Sequence, residues 1–268
     1  MSEVLFPMAR ILEILLGLNL IIQSIEYLSL VDDTGERGVW SYAVQKSDLS
    51  PMWSWVSKLF EFLSIEQIYR VHIGLRICLS LYIIFFNATL SIILFLLLGT
   101  IQILIRWRGA FNGGSDFMTI VALTGAAIGA MGNGSDNSDL FWRAGLIYIA
   151  IHSASSYVIS GGVKLLAPEW RSGRALPIFL NNGIFGPLRA NSIFRSRPIA
   201  LLCSWAFIIW EISVSLALFD PILMIFFCLI GTVFHLLVFW YFGLNRFFFA
   251  WITTFPALFY VSTQIILF

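Results

Sequence analysis

Tyr157–Leu176 reads YVISGGVKLLAPEWRSGRAL. An apolar run ends here in Gly161 and Gly162, whose missing side chains let a second backbone or a ligand approach closely. Lys164 follows at once, where a membrane interior gives way to the interface, and a lysine at that depth needs a partner or water. Pro168, Trp170, Arg171, Gly173 and Arg174 close the stretch. Two readings stand side by side. One is a lysine snorkelling beside an interfacial tryptophan; the other is a polar site at the membrane surface.

The composition around this stretch sets the solvent. Of 268 residues, 59% are hydrophobic, 16% aromatic and only 12% charged, against roughly 25% charged in a soluble domain. An all-α integral membrane protein follows. The net charge of +1 gives no global field for nucleic acid, and 25 Phe with 10 Trp suit lipid-facing surfaces and interface belts. Cys78, Cys203 and Cys228 fall in separate apolar runs and read as packing thiols rather than a disulfide framework. No CxxC or HExxH pattern supports a metal site.

Working outward, apolar runs at about 7–30, 65–86, 90–105, 117–131, 140–166, 198–219, 221–242 and 247–268 predict a bundle of about eight transmembrane helices in one domain over 1–268. The fourth is short, and a re-entrant form is an alternative for it. The first run is longer than a signal-peptide core and lacks a small-x-small exit, so it is expected to remain as a span. Arg10 and Glu13 are one turn apart and suited to pairing. Glu26 reads as interfacial, Arg76 as deep enough to need an acidic partner or water, and Arg106-Trp107-Arg108 as an interface anchor. Gly125 and Gly129 form a small-xxx-small pair for close helix contact. The polar segment 32–64 holds a helix start at Ser50-Pro51. Trp53, Val56, Leu59, Phe60 and Leu63 then recur at helical spacing, giving one interfacial amphipathic helix over 52–63 or, alternatively, a lid on the bundle. The connection 167–197 is strongly basic. The basic loops all follow odd-numbered spans, so the positive-inside rule puts them in the cytoplasm and both termini outside.

Several elements, in order, resemble the horizontally transferred transmembrane domain, the membrane part of vitamin K-dependent γ-carboxylases. Bacterial membrane proteins that mature the sporulation-delaying peptide toxin share that domain. The residues concerned are Gly162-Val163-Lys164, Trp170 and Gly173; Phe234-His235 with Phe242, Phe247 and Pro256; Glu211 upstream of His235; and Phe111-Asn112 with Ser115. The likeness is clearest over 106–259. It implies the fold, an intramembrane polar cavity and a quinone-like or lipid-like occupant. Leu165 stands where the family has its second, basic lysine, and Gly114 where it has a histidine. Neither side chain can transfer a proton, so γ-carboxylation itself is not expected.

The functional expectation is maturation or modification of a peptide or lipid, with Lys164, Glu211 and His235 as catalytic candidates. Glu211 and His235 would form an acid–base pair and Lys164 an electrostatic anchor. Asn112, Asp116, Trp170 and Arg171 are the candidates for holding a cofactor. Asp116 also reads as a helix cap. Membrane lipid, a peptide precursor and other membrane proteins are the expected partners. The alternative is a non-catalytic subunit of a larger membrane complex, with a carboxylase-like enzyme using Lys164 as base ranked last.

Overall fold

A computed structural model of the chain describes residues 2–35, 38–49, 52–107 and 113–265. The Ser50-Pro51 helix start and the Phe111-Asn112 pair lie outside them. The described residues form helices α1 (Ser2–Ser29), α2 (Tyr42–Leu49), α3 (Ser54–Leu63), α4 (Glu66–Phe85), α5 (Leu90–Arg106), α6 (Gly113–Ala130), α7 (Ser138–Leu166), α8 (Pro168–Arg171), α9 (Ala175–Leu180), α10 (Arg197–Ala217), α11 (Pro221–Phe242) and α12 (Asn245–Ile265), with no strand among them. Five of these, α1, α4, α7, α10 and α11, are long and apolar enough to cross a membrane, and α5 and α6 are apolar but shorter.

The long helices alternate in direction, and two clasps mark the ends of the bundle. At one end Arg10 donates to Glu13 (2.9 Å) and to the carbonyls of Ile83, Ile84 and Phe86. These are the carbonyls left open where α4 stops, and a cation there also meets the negative end of the helix dipole. Glu13 in turn accepts from the Ala88 amide at 3.1 Å. The expected Arg10–Glu13 pair therefore exists and does more than neutralise itself: it pins α1 to α4. Asn133, in the α6–α7 turn, donates to the Ala88 carbonyl at this same end. At the opposite end, here the loop end, Arg246 at the start of α12 reaches Glu26 at the end of α1 and Asp116 at the start of α6. Glu26 is thus part of an ion cluster rather than a lone interfacial acid.

Glycines set the closest packing. A Cβ on Gly145 would stand 2.2 Å from the Gly125 carbonyl oxygen, and one on Gly129 would stand 2.4 Å from the Trp142 ring. The small-xxx-small pair therefore brings α6 against α7 as its spacing predicts. A central core joins α1, α6, α7 and α10 to α12 through Leu5, Leu12, Leu146, Tyr157, Trp210, Phe227, Trp251 and Phe255. A second cluster, including Leu16, Leu20, Ile93 and Leu96, packs α1 with α4, α5 and α6.

The described residues 31–35 and 38–49 form a roof over the loop end: Trp40 lies against Trp107, and the Gln45 amide donates to the Arg106 carbonyl. By contrast, α3 buries no residue and leaves Trp53, Trp55, Leu59 and Phe62 exposed. Arg106 and Trp107, expected as an interface anchor, are 2% and 3% exposed, because the roof covers them. Arg76 is fully buried, and its partners are Ser24, Gln23 and Thr100 rather than an acid.

Candidate functional site

Gly161 is the residue that assembles the site. A Cβ there would meet Ile212 Cγ1 at 2.7 Å and Glu211 Cβ at 3.1 Å. Its bare backbone lets α10 lie against α7, and this carries Glu211 to the side chain of Lys164. Gly162, one residue on, faces open space. The Lys164 ammonium donates to both Glu211 oxygens at 2.7 Å and to Ser160 Oγ at 2.6 Å, and Ser160 donates to Glu211 Oε1 at 3.0 Å. The Glu211 side chain is 6% exposed and that of Lys164 19%. Trp170, just past the end of α7, places its ring 5.5 Å from Lys164 Nζ. A lysine clamped between a carboxylate and an indole is fixed in place, and it can attract an anionic group at the mouth of the α7–α10 contact.

About two α7 turns before Lys164 is an aromatic cage. Tyr157 Oη is 2.6 Å from His235 Nε2. The His235 ring stacks on Trp251 at 5.4 Å and 13°, and Trp210, Phe234, Phe247 and Phe255 surround it. Among the described residues His235 Nδ1 and Trp251 Nε1 have no hydrogen-bond partner. If Nε2 donated, both the Tyr157 hydroxyl hydrogen and the Nδ1 lone pair would be left over. Donation from Tyr157 to Nε2 leaves only an Nδ1–H, so this assignment wins. The cage then offers two N–H donors, from His235 and Trp251, to an acceptor oxygen on a flat or apolar molecule. Gly114 borders the cage: a Cβ there would stand 2.8 Å from Phe247 and 3.9 Å from Trp251 Nε1.

The structure therefore brings together Lys164, Glu211 and Trp170, and sets His235 behind them across Trp210, which packs on Tyr157 at 5.3 Å. The expected Glu211–His235 pair does not form. Glu211 faces the full charge of Lys164, and His235 faces Tyr157. Arg171 is exposed, and its bond to the site's surroundings runs through its carbonyl, which accepts from Trp205 Nε1 at 3.2 Å. Asp116 stands apart from Lys164, in the loop-end cluster with Arg246, Glu26 and Tyr27. Asn112 lies outside the described residues. Sequence reasoning passed over Ser160 and Tyr157, four and seven residues before Lys164. Those spacings put all three on one helical face, and that was the available signal. Arg246 had no such signal, since its partners are on other helices. Among the described residues no group of His, Cys, Asp and Glu is arranged to hold a metal.

Compared with protein-family models, with curated proteins and with solved structures, the chain gives no match.

Proposed function

We propose that the chain is a multi-pass integral membrane protein of the horizontally transferred transmembrane type, and that it acts in the maturation or modification of a peptide or lipid. In this reading α5, α6 and α12 cross the bilayer together with the five longer apolar helices, and α3 lies in the interface on its exposed tryptophan face. The observation that carries the functional part is the graded site on α7: an anchored ammonium at the mouth and an aromatic cage with two unpaired N–H donors behind it. An amphiphile with an anionic or polar head and an apolar body bearing a carbonyl fits that sequence of environments. Position 114, where the resemblance puts a histidine, borders the same cage, which supports a common cavity without the family's proton transfer. An ammonium held by two carboxylate oxygens offers no lone pair, so Lys164 serves as anchor; Glu211 is the acceptor group nearest an incoming substrate, and His235 faces it as an N–H donor.

The test is native purification in mild detergent with mass spectrometry of all that accompanies the protein. A quinone-like or lipid-like molecule, or a peptide precursor, is expected with the wild type. It should be lost from His235→Ala and Glu211→Ala made at normal levels. Retention by both variants would overturn the reading. The second reading, a subunit of a larger membrane complex, is favoured by α11, whose most apolar window is 22% buried at a mean hydropathy of 2.7. Stoichiometric membrane proteins with no small molecule would support it.

A further inference from the structure

The connection from α7 to α10 is a folded platform and not a slack loop. Gly173 has a φ of +76°, which glycine adopts freely, and a Cβ there would stand 2.6 Å from the Leu201 amide nitrogen. With the Trp205 bond to the Arg171 carbonyl, this seats one side of the platform on α10. On the other side the Ile184 amide donates to the Tyr241 carbonyl (3.0 Å), and the Tyr241 hydroxyl donates to the Leu180 carbonyl (2.7 Å). The middle of the platform is thereby fastened to the end of α11. Arg195 closes it, donating to the carbonyls of Leu188 (2.7 Å) and Arg189 (3.1 Å) and to Asn181 Oδ1 (3.2 Å).

This fixed backbone turns large apolar side chains outward. Ile178, Phe179, Ile184, Phe185 and Ile193 are all exposed. Phe185, 65% exposed, lies 5.5 Å from the ring of Trp240, itself 63% exposed in the last turn of α11. An aromatic at the end of a helix long and apolar enough to cross a membrane marks the level of the interface. So many outward apolar groups on an ordered element mark an interaction surface.

The charge on the same element says what covers it. Residues 167–197 hold Arg171, Arg174, Arg189, Arg195 and Arg197 against Glu169 alone. All five arginines are exposed, and none forms an ion pair among the described residues. Arg195 excepted, their guanidinium groups have no hydrogen-bond partner there either. Open guanidinium forks suit phosphate oxygens, and exposed Phe and Ile suit the acyl boundary just beneath. An anionic bilayer surface supplies both at once, at the level where the ends of α7, α10 and α11 hold the platform.

We propose that the 167–197 platform lies on the membrane surface and selects anionic phospholipid, its apolar side chains dipping into the acyl boundary and its arginines taking the lipid phosphates. This rests on the multi-pass reading above. It gives the Lys164 mouth, which opens beside Trp170 at the start of the platform, a floor of anionic lipid.

The experiment uses the full-length protein with Cys78, Cys203 and Cys228 replaced and a bimane probe on Ile193→Cys. It is reconstituted into vesicles of phosphatidylcholine with about 30% phosphatidylglycerol. Bromine is carried on the acyl chains of one lipid or the other, and quenching is compared per mole of brominated lipid. Brominated phosphatidylglycerol is expected to quench about fivefold better than brominated phosphatidylcholine. The preference should shrink at about 1 M salt, where screening reaches ~3 Å. In the variant with Arg171, Arg174, Arg189 and Arg197 all changed to Gln, the two lipids should quench equally while total quenching persists; these four side chains hold no part of the fold, and size-exclusion chromatography checks that. Equal quenching in the wild type, or a preference kept by the quadruple variant, overturns the proposal. A probe quenched by neither lipid overturns it too, with access to iodide meaning that the face is in water and shielding from iodide meaning that a second copy covers it. Alkaline extraction tests the multi-pass reading by itself: release from the vesicles overturns both, whereas a retained protein that fails the quenching test overturns only the platform.

Discussion

At the scale of the residue, Lys164 and Glu211 show what a single contact decides. Removing one member of a buried ion pair leaves the other charged and unpaired, which costs about 3–5 kcal/mol when burial is complete. The 19% exposure of the Lys164 side chain lets water soften this, so Glu211→Ala is expected to cost about 2 kcal/mol. The double replacement Lys164→Met/Glu211→Met should recover most of it. A double-mutant cycle on detergent unfolding midpoints checks this, and additive losses would show that the pair is not coupled. At this scale the sequence was partly legible. The ionisable residues inside apolar runs were visible as anomalies, because lipid makes them expensive. Their pairing was not visible, because Glu211 had two plausible partners and only the register of α10 on α7 chooses between Lys164 and His235. The aromatic cage was legible as Phe234-His235 and Phe247, with Trp251 one turn further along α12, but not as a cage, since Tyr157 and Trp210 come from two other helices.

At the scale of the element, two features hold helices in place by opposite means. Between α6 and α7 the contact depends on absent side chains. Gly145→Val would push its new carbons into the Gly125 carbonyl 2.2 Å away. Overpacking of this kind costs about 1–3 kcal/mol, and here more, because backbone rather than a flexible side chain must yield. Loss of monodisperse protein on size-exclusion chromatography, or a midpoint lowered by 10 °C or more, is the expected result. Between α1 and α4 the contact depends on one long side chain. Arg10→Ala frees the Ile83, Ile84 and Phe86 carbonyls and leaves Glu13 without its cation. About 2–3 kcal/mol of destabilisation follows, concentrated at the end of α4. Hydrogen exchange should therefore rise at Tyr82–Phe86 more than in the middle of α4. Helix limits were the most legible part of the fold, because hydrophobic length and turn composition are local. The exception is instructive. The apolar run predicted from 117 starts as a helix at Gly113, and Phe247 lies where a larger side chain at 114 would stand.

At the scale of the whole molecule, the roofed loop end carries Arg106, Arg246 and the basic 167–197 connection, and the other end carries Arg10 with its clasp. If charge bias sets orientation, single cysteines at Ser135 and at Ser172, in a background with Cys78, Cys203 and Cys228 replaced, will react from opposite sides of the membrane. A membrane-impermeant thiol reagent applied to intact cells should label position 135 and spare position 172. The reverse pattern would mean that the arginines were placed for binding and not for topology. The buried Arg76 also bears on how such a chain enters the bilayer. An arginine at mid-helix costs about 2.5–3.5 kcal/mol when a segment is handed to lipid alone, and α4 carries nothing of its own to offset it. Gln23 and Ser24, which receive its guanidinium, are on α1, already synthesised; Thr100 is on α5, still to come. In the multi-pass reading proposed above, α1 and α4 are therefore expected to leave the translocon as a pair, fastened by Arg76 at mid-helix and by Arg10 at the end of α4.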